Sequence, residues 1–184
     1  MISSLIKTGI VILIGGLVLF VGVRKFIQYS PLKANFVPDG QTQIEKGFKG
    51  TSIPAFDFLL SDSSTHANTG GIPTGKYTIF FYFGPDCPYC QSEMREIIKG
   101  IDDFKDVRFY LLTAYPVSEM NEFMKLFQLN RYENIVVGFD YRSKVGPYYK
   151  IRAIPYTIIF NKDNKLIDAF EGNLTYTQIR NIIL

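Results

Sequence analysis

FGPDCPYCQSEM, residues 83–94, decides the fold and holds both cysteines of the 184-residue chain. A Cys-x-x-Cys pair can chelate a metal, staple a loop or shuttle electrons. A structural zinc site takes four ligands. This chain offers one cysteine pair and one histidine, His66, which falls in a polar stretch. No metal site is therefore expected. A disulfide closing so short a loop removes little unfolded-state entropy, and a chain that is 47% hydrophobic can build a core without one. Redox chemistry remains. The pair lies between a strand-like apolar run and an amphipathic pattern, the context in which Cys-x-x-Cys reads as a redox motif. Cys87 would stand at a helix N-terminus, where unpaired amides and the helix dipole favour a thiolate. Cys90 would lie one turn later, underneath, as the thiol that resolves a mixed disulfide. Pro88 suits the first helical turn, where no donor is needed. Asp86 puts a negative charge beside Cys87 and works against the thiolate.

Outward from the motif, strands alternate with helices. KYTIFFYF, Lys76 to Phe83, is a continuous apolar run, the pattern of a strand covered on both faces. After Cys90, the apolar residues Met94, Ile97, Ile98 and Ile101 recur at helical spacing. VRFYLLTA, Val107 to Ala114, is a second buried strand. Ser118 is placed to cap a helix whose Phe123, Leu126, Phe127 and Leu129 face inward. NIVVGFD is a short strand, KVGPYYKI a loop or short helix, and IPYTIIF, Ile154 to Phe160, another strand. NKDNK makes a hairpin turn, LIDAFEG returns as a strand, and Thr175 caps a last helix. Upstream, PAFDFLL reads as a first strand and SDSSTHANTGG as a polar loop. Residues 51–184 are thus expected to form an α/β domain, a central mixed β-sheet flanked by helices on both faces.

The charge is uneven. Residues 1–50 carry six Lys/Arg against two acidic residues, a net of +4, which leaves fourteen against fifteen, a net of −1, for residues 51–184. A domain without a basic excess gives no electrostatic footprint for nucleic acid. The basic excess surrounds TGIVILIGGLVLFVGV, Thr8 to Val23, which has no charge; from Ile2 onward Lys7 is the only one. A membrane-spanning helix takes about 20 residues, and Lys7 can snorkel to the headgroups. The alternative, a cleaved signal, has a shorter apolar core and a small-residue cleavage site; no Ala occurs before Ala34. Residues 1–25 are expected to be a single-pass transmembrane anchor and residues 26–50 a tether. Lys7 precedes the run, while Arg24, Lys25 and Lys33 follow it. Taken alone, that count places the domain in the cytoplasm.

Pro155 opens the IPYTIIF run, where a proline costs a ladder hydrogen bond. A cis Ile154–Pro155 bond would turn the chain and expose the Ile154 backbone; a trans proline at a strand edge is the other reading. GKYTIFFYFGPDCPYCQSEM followed by IRAIPYTIIFNKDNKLIDAFEG resembles the thioredoxin superfamily. PAFDFLL and the anchor look most like its TlpA-like, redoxin-type, membrane-tethered branch. The resemblance covers residues 51–184 and implies a thioredoxin-like fold. It implies that Cys87 attacks substrate, Cys90 resolves, and Pro155 is a cis-proline against the pair. Ile154 would offer backbone to an extended peptide, with Pro88 and Tyr89 on the substrate-facing rim. It implies a thiol-disulfide oxidoreductase, held to the cell membrane on the periplasmic or extracytoplasmic side. Its partners would be cysteine-containing proteins, for which it acts as a reductase, and a membrane or thiol electron donor; no cofactor is called for. That side is opposite to the one the charge count favours. Glu93 matches a glutamate that some TlpA-like members carry three residues after the second cysteine; an exposed helix carboxylate is the other reading. The family's usual Trp before the first cysteine is Asp86 here, and the position of thioredoxin's buried acid falls on Phe81. Two rivals stand beside this reading. A peroxiredoxin-like peroxidase would carry Thr where this chain has Gly84. A redox-inactive thioredoxin-like binding module would use the same fold without the chemistry.

Overall fold

The computed structural model describes residues 47–183. The expected anchor, residues 1–25, and nearly all of the tether lie outside the described residues. Among the described residues no helix is long and apolar enough to cross a membrane.

The elements run β1 (Asp57–Leu59), β2 (His66–Asn68), β3 (Tyr77–Tyr82), α1 (Pro88–Lys99), β4 (Val107–Thr113) and α2 (Val117–Phe127), then β5 (Ile135–Phe139), α3 (Val145–Tyr149), β6 (Tyr156–Phe160), β7 (Leu166–Glu171) and α4 (Tyr176–Ile183). The seven strands form one mixed sheet in the order β2-β1-β5-β4-β3-β6-β7. Its inner strand β3 pairs parallel with β4 and antiparallel with β6, and Tyr82 lies opposite Tyr156. The cysteine motif leaves the end of β3 and Pro155 enters the start of β6. That pairing therefore brings the two to the same end of the sheet, although they are far apart in sequence.

The period-2 geometry of β3 divides its apolar run between two cores. Ile79, Phe81 and Phe83 pack with Cys90, Met94 and Ile97 of α1, Phe123 of α2 and Ile179 of α4. Phe80 and Tyr82 point the other way, onto Val145 and Tyr149 of α3 and onto Phe56 and Ile72. Each fully buried side chain of this size contributes about 1.5–3 kcal/mol of transfer free energy, so both faces hold β3 in place. Gly138 in β5 marks a close approach, since a Cβ there would lie 2.2 Å from the Phe58 ring.

Four expectations are corrected. The polar loop expected over residues 61–71 contains β2, which pairs antiparallel with β1, and a 3₁₀ turn over Thr69–Gly71. An edge strand with polar side chains carries no hydrophobic alternation to reveal it. Ser118 does not cap α2: Pro116 precedes the helix and no side chain caps it. Leu126 is 58% exposed, not inward. The inward stripe is Met120, Phe123 and Phe127, and Leu126 lies roughly 120° around the helix from Met120. Ile101 falls beyond α1, whose C-cap is Gly100, and packs from the following turn. Thr175 does cap α4: its hydroxyl accepts from the Gln178 amide at 3.3 Å, and Gln178 reaches back to the Thr175 amide at 2.8 Å. That is a reciprocal capping box.

Candidate active site

The helix begins at the motif because Cys87 takes an extended N-cap conformation (φ −73°, ψ 117°) and Pro88 opens the first turn. The Cys87 sulfur accepts from the Cys90 amide at 3.4 Å, as an N-cap side chain does. On its other side the Cys87 thiol lies 3.8 Å from the Ile154 carbonyl oxygen. Both thiols are free; Cys87 is partly exposed and Cys90 is buried. The Ile154–Pro155 bond is cis. Pro155 is buried, while Pro88 and Tyr89 are exposed beside Cys87.

Gly84 sits beneath this junction. A Cβ at Gly84 would meet Ile154 Cδ1 at 2.8 Å and the Tyr115 ring at 3.3 Å, so the Ile154 side chain already fills the space. Tyr115, 42% exposed, and Tyr89, 66% exposed, give the rim two accessible aromatic rings.

Glu93 is fully buried, so the exposed-carboxylate reading is wrong. One carboxylate oxygen accepts from the Thr157 hydroxyl at 2.5 Å and the other from the Leu174 amide at 3.0 Å. Burial pushes its carboxyl up from 4.5 to about 8, against the lowering effect of these two hydrogen bonds. Burial also pushes the Cys90 thiol well above its ordinary range; the hydrogen bond with Cys87 and the charges of Cys87 and Glu93 reinforce the shift, and a backbone hydrogen bond with Gly84 opposes it. Cys90 and Glu93 lie three residues apart on α1, a spacing that makes helix side chains neighbours. Phe81 packs in the same core and brings no acid to it.

All seven residues singled out from the sequence lie at this end of the sheet or on the α1 turn beneath it. Sequence reasoning missed Thr157, Leu174 and Tyr115. Thr157 had a signal, a lone hydroxyl inside the apolar IPYTIIF run. Leu174 contributes only its backbone, which no side-chain pattern reveals. His66 is exposed in β2, edge-on to Tyr141 at 5.3 Å. Among the described residues no group of three His, Cys, Asp or Glu side chains could hold a metal ion.

A central mixed sheet with a cysteine pair at a helix N-terminus, set against a cis-proline, defines the class of thioredoxin-like proteins. The particular family follows from the sequence: the chain belongs to the redoxin family, whose model matches residues 48–182. It is 24% identical over 141 residues to the methylamine utilization protein MauD of Methylophilus methylotrophus, a match covering 76% of this chain and 64% of that protein. The chain thus spans less than two thirds of that relative's length. In fold it is similar to StoA from Bacillus subtilis (TM-score 0.54, 17% identity, 71% of this chain and 98% of that one). It is likewise similar to a peroxiredoxin-like protein from Aquifex aeolicus (TM-score 0.58, 15% identity, 73% and 85%).

Proposed function

We propose that the protein reduces disulfides in extracytoplasmic proteins through its Cys-Pro-Tyr-Cys dithiol, held at the membrane by residues 1–25. The observation that carries the reading is the placement of Cys87. Its sulfur meets the Cys90 amide on one side and the Ile154 carbonyl on the other, while Cys90 lies buried below it. An extended substrate segment laid along Ile154 would bring its disulfide to Cys87. The Cys87 thiolate attacks one substrate sulfur, and the other leaves as a thiolate, forming a mixed disulfide. Cys90 then gives its proton to the Glu93 carboxylate and attacks Cys87, which releases the second substrate thiolate. The substrate gains two electrons and the protein is left with a Cys87–Cys90 disulfide. A thiol donor at the membrane restores the dithiol.

A carboxyl raised to about 8 suits the proton transfer, because it is a stronger base than an ordinary carboxylate. The apolar run at Thr8–Val23 supports the tethered part of the reading. The peroxidase alternative finds no support in the position of Gly84, where the Ile154 side chain occupies the space of the missing Thr.

Intact cells treated with a membrane-impermeant thiol reagent, wild type against Cys87→Ser, test this. Labelling that requires Cys87 and no prior reductant places a resting dithiol outside the cytoplasm, as expected. Labelling only after lysis would put the domain inside and make Arg24, Lys25 and Lys33 the better guide.

A further inference from the structure

A second feature opens beside the reactive sulfur, on the face of the sheet opposite Glu93. A groove of about 570 Å³ runs between α3 and the segment that leads into Pro155. Tyr82, Gly146, Pro147, Ile151 and Ile154 line it, and Lys150 and Arg152 stand at its edge. Ile154 links it to the chemistry, because this wall residue presents the carbonyl that lies 3.8 Å from Cys87 Sγ. The next residue of an extended chain rises only about 3.3 Å. A segment laid along Ile154 with its cysteine joined to Cys87 would bring a flanking side chain to this groove.

Its walls set what that side chain is. The Tyr82 hydroxyl is already committed to the Asp140 carboxylate, so Tyr82 offers the groove only its ring. Gly146 has no side chain, and a Cβ there would come within 3.5 Å of Tyr82; its absence keeps the Tyr82 edge open. Pro147, Ile151 and Ile154 are apolar. Two of the eight lining residues are cationic and none is acidic. Arg152 is an exposed edge cation that lies 3.8 Å from the Glu171 carboxylate, near the limit of an ion pair. Such a pair holds its charge weakly, so Arg152 can turn to a ligand. Asp86, the other acid near Cys87, lies on the motif rather than along the groove.

We propose that this groove is a specificity subsite for the disulfide partner. It takes a bulky aliphatic side chain next to the target cysteine, with an acidic residue beyond it at Arg152. The partner is then a protein segment in which an apolar and an acidic residue flank the reducible cysteine. The proposal rests on the disulfide-exchange reading above and names its substrate class.

The test uses the reduced full chain in non-ionic detergent. The probes are three peptides, each carrying one cysteine as a mixed disulfide with thionitrobenzoate. One has Leu and Asp beside the cysteine, one has Ser in place of Leu, and one has Lys in place of Asp. Release of the coloured thiolate gives the rate. The Leu-Asp peptide is expected to react about tenfold faster than the Ser peptide, the low end of what burying one aliphatic side chain yields. The Lys peptide falls between them. Gly146→Leu, which fills the groove, should remove the Leu preference, and Arg152→Glu should reverse the Asp-over-Lys preference. Both variants should react with the free aromatic disulfide as fast as wild type does, and a far-ultraviolet circular dichroism spectrum like that of wild type shows that they are folded. Equal rates for the three peptides on wild type, or a Leu preference that survives Gly146→Leu, would overturn the subsite alone. No reaction of wild type with the free aromatic disulfide would overturn the exchange reading and the subsite with it.

Discussion

Glu93 and Asp140 are both buried, at 0% and 1% exposed, one on each face of the sheet, yet their surroundings assign them different work. Asp140 follows β5 and receives the amides of Lys144 and Val145, each at 2.9 Å, together with the Tyr82 hydroxyl. Its charge meets the start of α3 and ties that helix to the sheet, as a side-chain cap does. Glu93 has one hydroxyl and one amide and lies next to Cys90. A carboxylate can use about four acceptor sites, so Glu93 is buried with few donors and holds a proton readily. The number and kind of donors separate a buried strut from a buried proton carrier.

The largest expected effect is on stability against pH. The folded-state value of Glu93, about 8, lies above its ordinary 4.5. Between these values the folded protein keeps a proton that the unfolded chain releases. The Glu93 contribution is therefore most favourable at or below about pH 4.5 and is lost as pH rises through 8. Its full span is on the order of 5 kcal/mol. Denaturant melts of Glu93→Gln from pH 5 to 9 should show this slope flattened, with the variant the more stable form at pH 9. An unchanged slope would mean that Glu93 is charged throughout, and the contrast with Asp140 would fail.

Asp140→Ala should come next, with a loss of about 2 kcal/mol for the cap and the unpaired buried donors. Its folded fraction should keep the wild-type exchange rate with a small disulfide, because the strut lies outside the proton path. A stability change within a few tenths of a kcal/mol would reduce Asp140 to a bystander. The smallest change is Thr157→Val, which removes one donor to Glu93 at nearly constant volume. The Thr157 bond lowers the Glu93 value, so its loss should move the Glu93 titration up by about one unit, followed by carboxyl NMR or infrared spectroscopy. A downward movement would contradict the assigned role of that hydroxyl.

What the sequence revealed was local. The KYTIFFYF run, Pro88 and the spacing of Met94 and Ile97 are short-range signals, and β3, the motif and α1 lie where they put them. Pro155 was legible because a proline at the head of an apolar strand is anomalous. The β2 strand was not, since His66, Ala67 and Asn68 at a sheet edge carry no apolar alternation and look like a loop. The role of Glu93 was only half legible. Its partners Thr157 and Leu174 lie 64 and 81 residues away in sequence, so its burial is a property of the assembled sheet. The groove beside Ile154 was illegible for the same reason, being made where α3 and the approach to β6 meet.

The central claim is that Glu93 takes the proton of Cys90 when the mixed disulfide resolves. Its most direct test is the rate of that step, followed by stopped flow as a preformed mixed disulfide at Cys87 collapses, over pH 5 to 10 in wild type and Glu93→Gln. Wild type is expected to titrate near pH 8, with the variant about 10²-fold slower on that plateau and lacking the titration. Identical profiles in the two proteins would contradict the claim and leave Glu93 a buried acid without a part in the exchange.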